Sequence, residues 1–169
     1  MGLFDFLKKD EETEDKNVQL YTPVDGLVKP ISEVNDPVFS EKMMGDGFGV
    51  DPENGDIYSP VNARVSSVFP TKHAVGLKLS NDIDLLIHIG IDTVELEGEP
   101  FEVMVEEGQE VTPETLLVKT DLDALKEAGK ENTVIIAFTN MDIVEDYSLS
   151  NTGELSHGEL IGEISSKDQ

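Results

Sequence analysis

From Val18 onward the apolar positions come in short runs of Val, Ile, Leu and Phe, cut by Gly, Pro, Asn and Asp. That spacing predicts short β-strands and tight turns rather than long helices. Turns are expected at Gly45-Asp46-Gly47, Glu53-Asn54-Gly55-Asp56, Ser80-Asn81-Asp82 and Glu107-Gly108-Gln109. The pattern predicts a strand over 133–138, where β-branched residues dominate, and a last strand over 158–164. One helix is expected over 121–129: Asp121 can cap it, Leu122 and Leu125 give apolar contacts, and Gly129 can end it. The clearest alternation is at 83–89, where Ile83, Leu85, Ile87 and Ile89 share one face and Asp84, Leu86 and His88 the other. His88 therefore stands opposite the face suited to a core.

The chain also echoes itself. Leu20-Tyr21-Thr22-Pro23-Val24-Asp25-Gly26-Leu27-Val28 resembles Ile57-Tyr58-Ser59-Pro60-Val61-Asn62-Ala63-Arg64-Val65, 37 residues on. Each copy reads as strand, turn, strand. Two such units packed together predict an all-β fold, an antiparallel β-sandwich or barrel of two similar hairpin-containing halves with one or two short helices. No domain boundary is visible over 18–169. Residues 1–17 differ: Leu3, Phe4 and Leu7 share a helical face before Lys8 and Lys9, and an acidic run from Asp10 to Asp15 follows. This start reads as a flexible tail. A short amphipathic helix within it would give residues 1–9 at most weak contact with a membrane surface, because the acidic run repels anionic lipid.

Composition narrows the function. The formal net charge is −24 over 169 residues, which argues against nucleic acid and favours a basic protein partner. There is no cysteine, so disulfides and thiol chemistry are excluded. No apolar run reaches the length of a membrane span and no secretory signal is visible, so a cytoplasmic protein is expected.

Of three histidines, His73 and His88 carry the candidate chemistry. If the hairpin turns about Ser80-Asn81, His73 lies directly opposite His88, and opposed Cβ atoms are roughly 4.5–5.5 Å apart. A slip of one residue would put them on opposite faces. Three readings fit the pair. In phosphoryl transfer, a neutral imidazole attacks the phosphoryl group, its second nitrogen held by an acceptor, while the other ring and Thr71 supply donors. In a zinc site, His73 and His88 need further ligands, such as the carboxylate of Asp84 or one from a partner. In the third, the two are unrelated polar residues on a solvent-facing sheet. His157, in a late turn, reads as plain surface.

Several segments together resemble the glucose-type enzyme IIA family of the bacterial phosphoenolpyruvate-dependent sugar phosphotransferase system. They are Phe39-Ser40-Glu41-Lys42-Met43-Met44-Gly45-Asp46-Gly47, Pro60, Phe69-Pro70-Thr71-Lys72-His73, His88-Ile89-Gly90-Ile91-Asp92-Thr93-Val94-Glu95-Leu96-Glu97-Gly98, Glu106-Glu107-Gly108-Gln109 and Thr139-Asn140-Met141. The resemblance covers about 18–165. It implies a β-sandwich, a phosphohistidine at Nε2 of His88, His73 as its stabilising neighbour, and Thr71 hydrogen-bonding nearby. It implies phosphorylated HPr as donor, a cysteine of a permease IIB domain as acceptor, no required cofactor, and a monomer. The partner surface it implies is an apolar patch of Val38, Phe39, Met43, Met44, Phe69, Leu86 and Val94 with Asp36 and Asp92 at its rim. Zinc at the histidine pair, completed by a partner carboxylate, is a further property of the family. Regulatory protein targets are another, although the enteric form's roles are not carried over to this more acidic chain. Three departures stand out: Asp82 where the family usually has glycine, Leu86 where an aromatic is common, and Asn62-Ala63 in the second copy of the echo. A rival class is a biotinyl- or lipoyl-type swinging-arm domain, also built of two β halves, with Lys72 as the attachment site. A zinc-dependent hydrolase is the other alternative. The sugar is not legible.

Overall fold

Short strands alternate with turns along the whole computed structural model, which describes residues 16–167. The 1–9 stretch and the acidic run of the expected tail lie outside the described residues. Fourteen strands are found among the described residues. They are β1 (Asn17–Tyr21), β2 (Gly26–Pro30), β3 (Gly47–Pro52), β4 (Asp56–Tyr58), β5 (Ala63–Val68), β6 (Ala74–Leu79) and β7 (Asp84–Ile89), followed by β8 (Phe101–Val103), β9 (Glu110–Val111), β10 (Leu116–Thr120), β11 (Val134–Phe138), β12 (Val144–Leu149), β13 (Gly153–Leu155) and β14 (Leu160–Ser166). Among the described residues two short α-helices, α1 (Pro37–Ser40) and α2 (Leu122–Glu127), complete the expected antiparallel β-sandwich. Among the described residues no helix is long and apolar enough to cross a membrane.

The echo in the sequence is a symmetry in space. The large sheet runs β13-β2-β3-β11-β7-β6-β5-β9, and two three-stranded sheets run β1-β14-β12 and β4-β10-β8. Read outward from the β11–β7 seam, each half of the large sheet mirrors the order of the other. Each echoed segment reaches across to its copy: the Tyr21 N–H donates to the Pro60 carbonyl and the Tyr58 N–H to the Pro23 carbonyl, both at 2.8 Å. The hydroxyls inside the two copies are fully buried and also match. Thr22 Oγ1 donates to the Val24 carbonyl and Ser59 Oγ to the Val61 carbonyl. Each hydroxyl thus satisfies a carbonyl that would otherwise lose its hydration uncompensated.

A second, fainter repeat supports this one. Thr112-Pro113-Glu114-Thr115 matches Ser156-His157-Gly158-Glu159, and the Ser59 and Thr22 N–H groups donate to the carbonyls of Thr115 and Glu159, each at 3.0 Å. This corrects the expectation for His157. Its ring stacks on Tyr58 at 3.7 Å, its Nε2 donates to the Pro113 carbonyl at 2.9 Å, and its N–H donates to Asp25 Oδ1 at 2.6 Å. It is a half-buried tie between the halves, not a free surface residue.

The main core fills the space between the sheets with Val, Ile, Leu and Phe. The alternation on β7 is realised: Leu85, Ile87 and Ile89 are buried, while Asp84, Leu86 and His88 point outward. The helix α2 forms as read. Asp121 accepts from the Ala124 N–H, Leu125 is buried, and Gly129 ends the helix with a φ of +74°. A second, smaller core lies on the outer face of the large sheet. There Ile31, Val34 and Phe39 pack on Ile91, Ile135 and Ala137. Burying these side chains, at roughly 1.5–3 kcal/mol each, holds the 31–40 segment over β11 beside His88.

Candidate functional site

The site forms where β6 and β7 meet a bend in the chain. The observed register is one residue away from the expected one: Ala74, not His73, pairs with His88, and Lys78 pairs with Asp84. The hairpin loop holds three residues. Asp82 adopts a φ of +69°, its N–H bonds the Leu79 carbonyl at 3.0 Å, and the Leu79 N–H bonds the Ile83 carbonyl at 2.9 Å. A left-handed third residue of this kind is a common way to close a hairpin of that length. Strict alternation would then send His73 to the other face. It does not, because His73 lies outside β6, directly after a turn closed by the Lys72 N–H on the Phe69 carbonyl. Lys72 there has a φ of +60°. His73 keeps one ladder bond, accepting from the Ile89 N–H at 2.7 Å, while its ring swings over to His88. The two ring centroids are 4.9 Å apart and nearly perpendicular.

Hydrogen bonds set the state of His88. Its Nδ1 is 2.8 Å from the Gly90 carbonyl. A carbonyl only accepts, so Nδ1 carries the hydrogen and Nε2 presents a free lone pair. His73 Nδ1 is 2.7 Å from Thr71 Oγ1. When that hydroxyl donates, Nε2 of His73 carries the ring hydrogen and is a donor.

Burial disfavours the charged form of both rings. Burial lowers the His88 pKa to about 4, helped by the charge His73 would carry, against the opposing pull of the Gly90 carbonyl and of Asp36 and Asp92. Burial also lowers that of His73, opposed by the backbone of Thr71.

The Gly90 geometry is what this loop demands of its sequence. Its φ is +79°, and a Cβ there would stand 2.4 Å from Thr93 Cγ2. No other residue type fits that conformation and that contact together.

Most residues of the expected patch lie at the surface. Val38, Met43, Met44, Phe69 and Val94 are exposed, with Phe69 at 37% and Val94 at 48% although either would be an ordinary core residue by type. Phe69 is edge-on to His73 at 5.7 Å. Phe39 departs from the expectation. It is only 5% exposed, and its ring lies 5.1 Å from that of His88. It therefore walls and desolvates the imidazole instead of offering open surface. Leu86 is half-buried on the outward face of β7. Asp36 caps α1 by accepting from the Val38 N–H at 3.0 Å, and Asp92 is exposed in a left-handed turn. Met104 and Met141, which sequence reasoning left out, are exposed as well.

Asp84 does not join the pair. Its carboxylate is 3.3 Å from Lys78 Nζ, and it stands four residues from His88 on one strand face, about 13 Å away. Among the described residues no three His, Asp or Glu side chains are grouped to hold a metal. Lys72, the attachment site of the swinging-arm alternative, is exposed in the turn beside His73.

Comparison with known proteins adds a lineage to this geometry. Residues 18–144 match the family described as the phosphoenolpyruvate-dependent sugar phosphotransferase system, EIIA 1. The glucose-specific EIIA component of Staphylococcus epidermidis is 43% identical over 145 residues, covering 86% of this chain and 87% of that protein. The glucose-specific EIICBA component of Streptococcus pneumoniae is 47% identical over 151 residues, covering 89% of this chain, which spans about a fifth of that longer protein. Among solved structures, a glucose permease IIA from Mycoplasma capricolum superposes with a TM-score of 0.76 at 34% identity, over 89% of this chain and 97% of its own.

Proposed function

The chain belongs to the phosphoenolpyruvate-dependent sugar phosphotransferase system EIIA 1 family, and on that premise we propose that it carries a phosphoryl group on Nε2 of His88. The observation that carries this reading is the 2.8 Å bond from Nδ1 of His88 to the Gly90 carbonyl, which leaves Nε2 with its lone pair free beside a second imidazole.

The transfer is an in-line displacement. The Nε2 lone pair forms a bond to phosphorus as the bond from phosphorus to the donor's histidine breaks, and that electron pair stays with the donor. The protein contributes position and charge stabilisation rather than covalent steps of its own. His73, polarised by Thr71, donates a hydrogen bond to the phosphoryl oxygens as charge shifts among them. Onward transfer reverses the roles: a thiolate attacks phosphorus and His88 leaves as a neutral imidazole.

The donor in this reading is phosphorylated HPr, and the acceptor is a cysteine on the IIB domain of a glucose-type permease. The surface suits both. Exposed Met43 and Met44 adapt to different partners, Phe69, Val38 and Val94 supply area, and Asp36 and Asp92 attract basic side chains. A zinc ion would find two ligands here and need the rest from a partner. The swinging-arm and hydrolase alternatives give way to the family match.

The test is direct. Incubation with phosphoenolpyruvate, enzyme I and HPr should add one acid-labile phosphoryl group, read by intact mass. His88→Ala should take none, and His73→Gln should accept the group but fail to pass it on. Full labelling of the His88→Ala protein would overturn the assignment.

A further inference from the structure

Two consecutive peptide planes after His88 are each pinned at both ends. In the first, the Gly90 N–H donates to the Thr133 carbonyl at 2.8 Å, and the Ile89 carbonyl accepts from Thr93 Oγ1. In the second, the Ile91 N–H donates to the Glu131 carbonyl at 3.1 Å, and the Gly90 carbonyl accepts from His88 Nδ1. Of the three pins other than His88, two are backbone groups. The third is the Thr93 hydroxyl. Thr93 is fully buried, and its methyl group fills the space beside Gly90 that a Cβ would take.

We propose that Thr93 is a positioning residue for the His88 tautomer. Its hydroxyl anchors the Ile89 carbonyl, which orients the 89–90 peptide. Its methyl packs against Gly90 and restricts rotation of the next plane. Together they hold the Gly90 carbonyl where it accepts from Nδ1, so that Nε2 remains the unprotonated, outward nitrogen. The Thr93 hydroxyl bonds the Ile89 carbonyl and not an imidazole nitrogen. This rests on the proposal that Nε2 of His88 is the attacking atom, but its first readout does not.

Thr93→Val keeps the shape and removes the hydroxyl. With the buried Ile89 carbonyl left unpaired, the loop can turn and the Gly90 carbonyl no longer defines one tautomer. Long-range ¹H–¹⁵N correlation spectra distinguish the two ring nitrogens in the resting protein, with no phosphoryl donor present. The wild type should show a single Nδ1–H tautomer at His88, and Thr93→Val a mixture with Nε2–H. Phosphoryl acceptance from HPr should fall by about tenfold in the same variant. Thr93→Ser, which restores the hydroxyl without the methyl, should recover most of both. If Thr93→Val does not fold, Thr93→Cys, whose thiol is a weak donor of similar size, replaces it with the same expectation. An unchanged tautomer in the Val or Cys variant overturns the proposal, as does a Ser variant as impaired as Val. A wild type that takes no phosphoryl group yet shows the tautomer shift in Thr93→Val would sink the phosphocarrier reading alone.

Discussion

Acidification separates His88 from an ordinary histidine. With its pKa lowered to about 4, mainly by burial and then by the charge His73 would carry, His88 stays neutral where a free imidazole does not. At pH 5.5 an ordinary imidazole is about 9% neutral, whereas one titrating near 4 is about 97% neutral. Nε2, the attacking nitrogen of the proposed transfer, is therefore available across the physiological range. The same shift links to stability, and the sign follows from proton counting. Between the unfolded value of 6.5 and about 4, the unfolded chain binds a proton that folded His88 does not. The associated stability is fully present above pH 6.5 and is lost as pH falls toward 4. A gap of that size is about 3 kcal/mol, a substantial part of a typical domain's stability. The assay is an NMR titration of the His88 ring signals, assigned by their absence in His88→Asn. Denaturant unfolding of both proteins from pH 7.5 to 4 completes it. The titration midpoint should lie well below 6, and His88→Asn should lose less stability over this interval than the wild type. In His73→Gln the midpoint should rise, because a repelling charge is gone. A wild-type midpoint near 6.5 would refute the reasoning, since the walls formed by Phe39 and the strand would then not be excluding water.

Three further outcomes are expected. Gly90→Ala forces a side chain into a left-handed backbone and onto Thr93 Cγ2, so it should destabilise by about 1–3 kcal/mol and disorder the His88 tautomer, measured by thermal melting and ring ¹⁵N shifts. Val94→Asp, on the exposed patch, should leave the melting temperature almost unchanged while slowing transfer from HPr by about tenfold, read from initial rates against HPr concentration. His157→Ala should cost about 1 kcal/mol in denaturant unfolding through the lost stack on Tyr58 and the lost bond to the Pro113 carbonyl, with no change in phosphoryl acceptance.

Much of the site was legible because local rules happened to agree with the fold. Alternation over 83–89 placed His88 outside the core, and the matched prolines announced two related halves. What escaped depended on single backbone angles. Asp82 in a left-handed conformation lengthens the hairpin loop and moves the register by one. The bend at Lys72 then frees His73 from the pleat and returns its ring to His88. Neither angle is written in a hydrophobic pattern. Phe39 was assigned to the patch by family resemblance, but the small core on Ile135 and Ala137 draws it under. His157 was misjudged for a related reason: the repeat that gives it partners has diverged to Thr112-Pro113 on one side and Ser156-His157 on the other.

The first and last described strands are neighbours, with Asn17 across from Ser165 and Val18 across from Ile164. Both ends of the folded unit thus leave from the same end of the small sheet, side by side. A module of that shape can be spliced onto another polypeptide, or into one, without stretching its own framework. The Streptococcus pneumoniae relative, in which the matching stretch is about a fifth of a much longer chain, is one example of such joining. Portability has a cost at the same seam. Trimming β14 takes away the partner of β1 and of β12 at once, so a truncation that looks harmless in sequence should undo the whole small sheet.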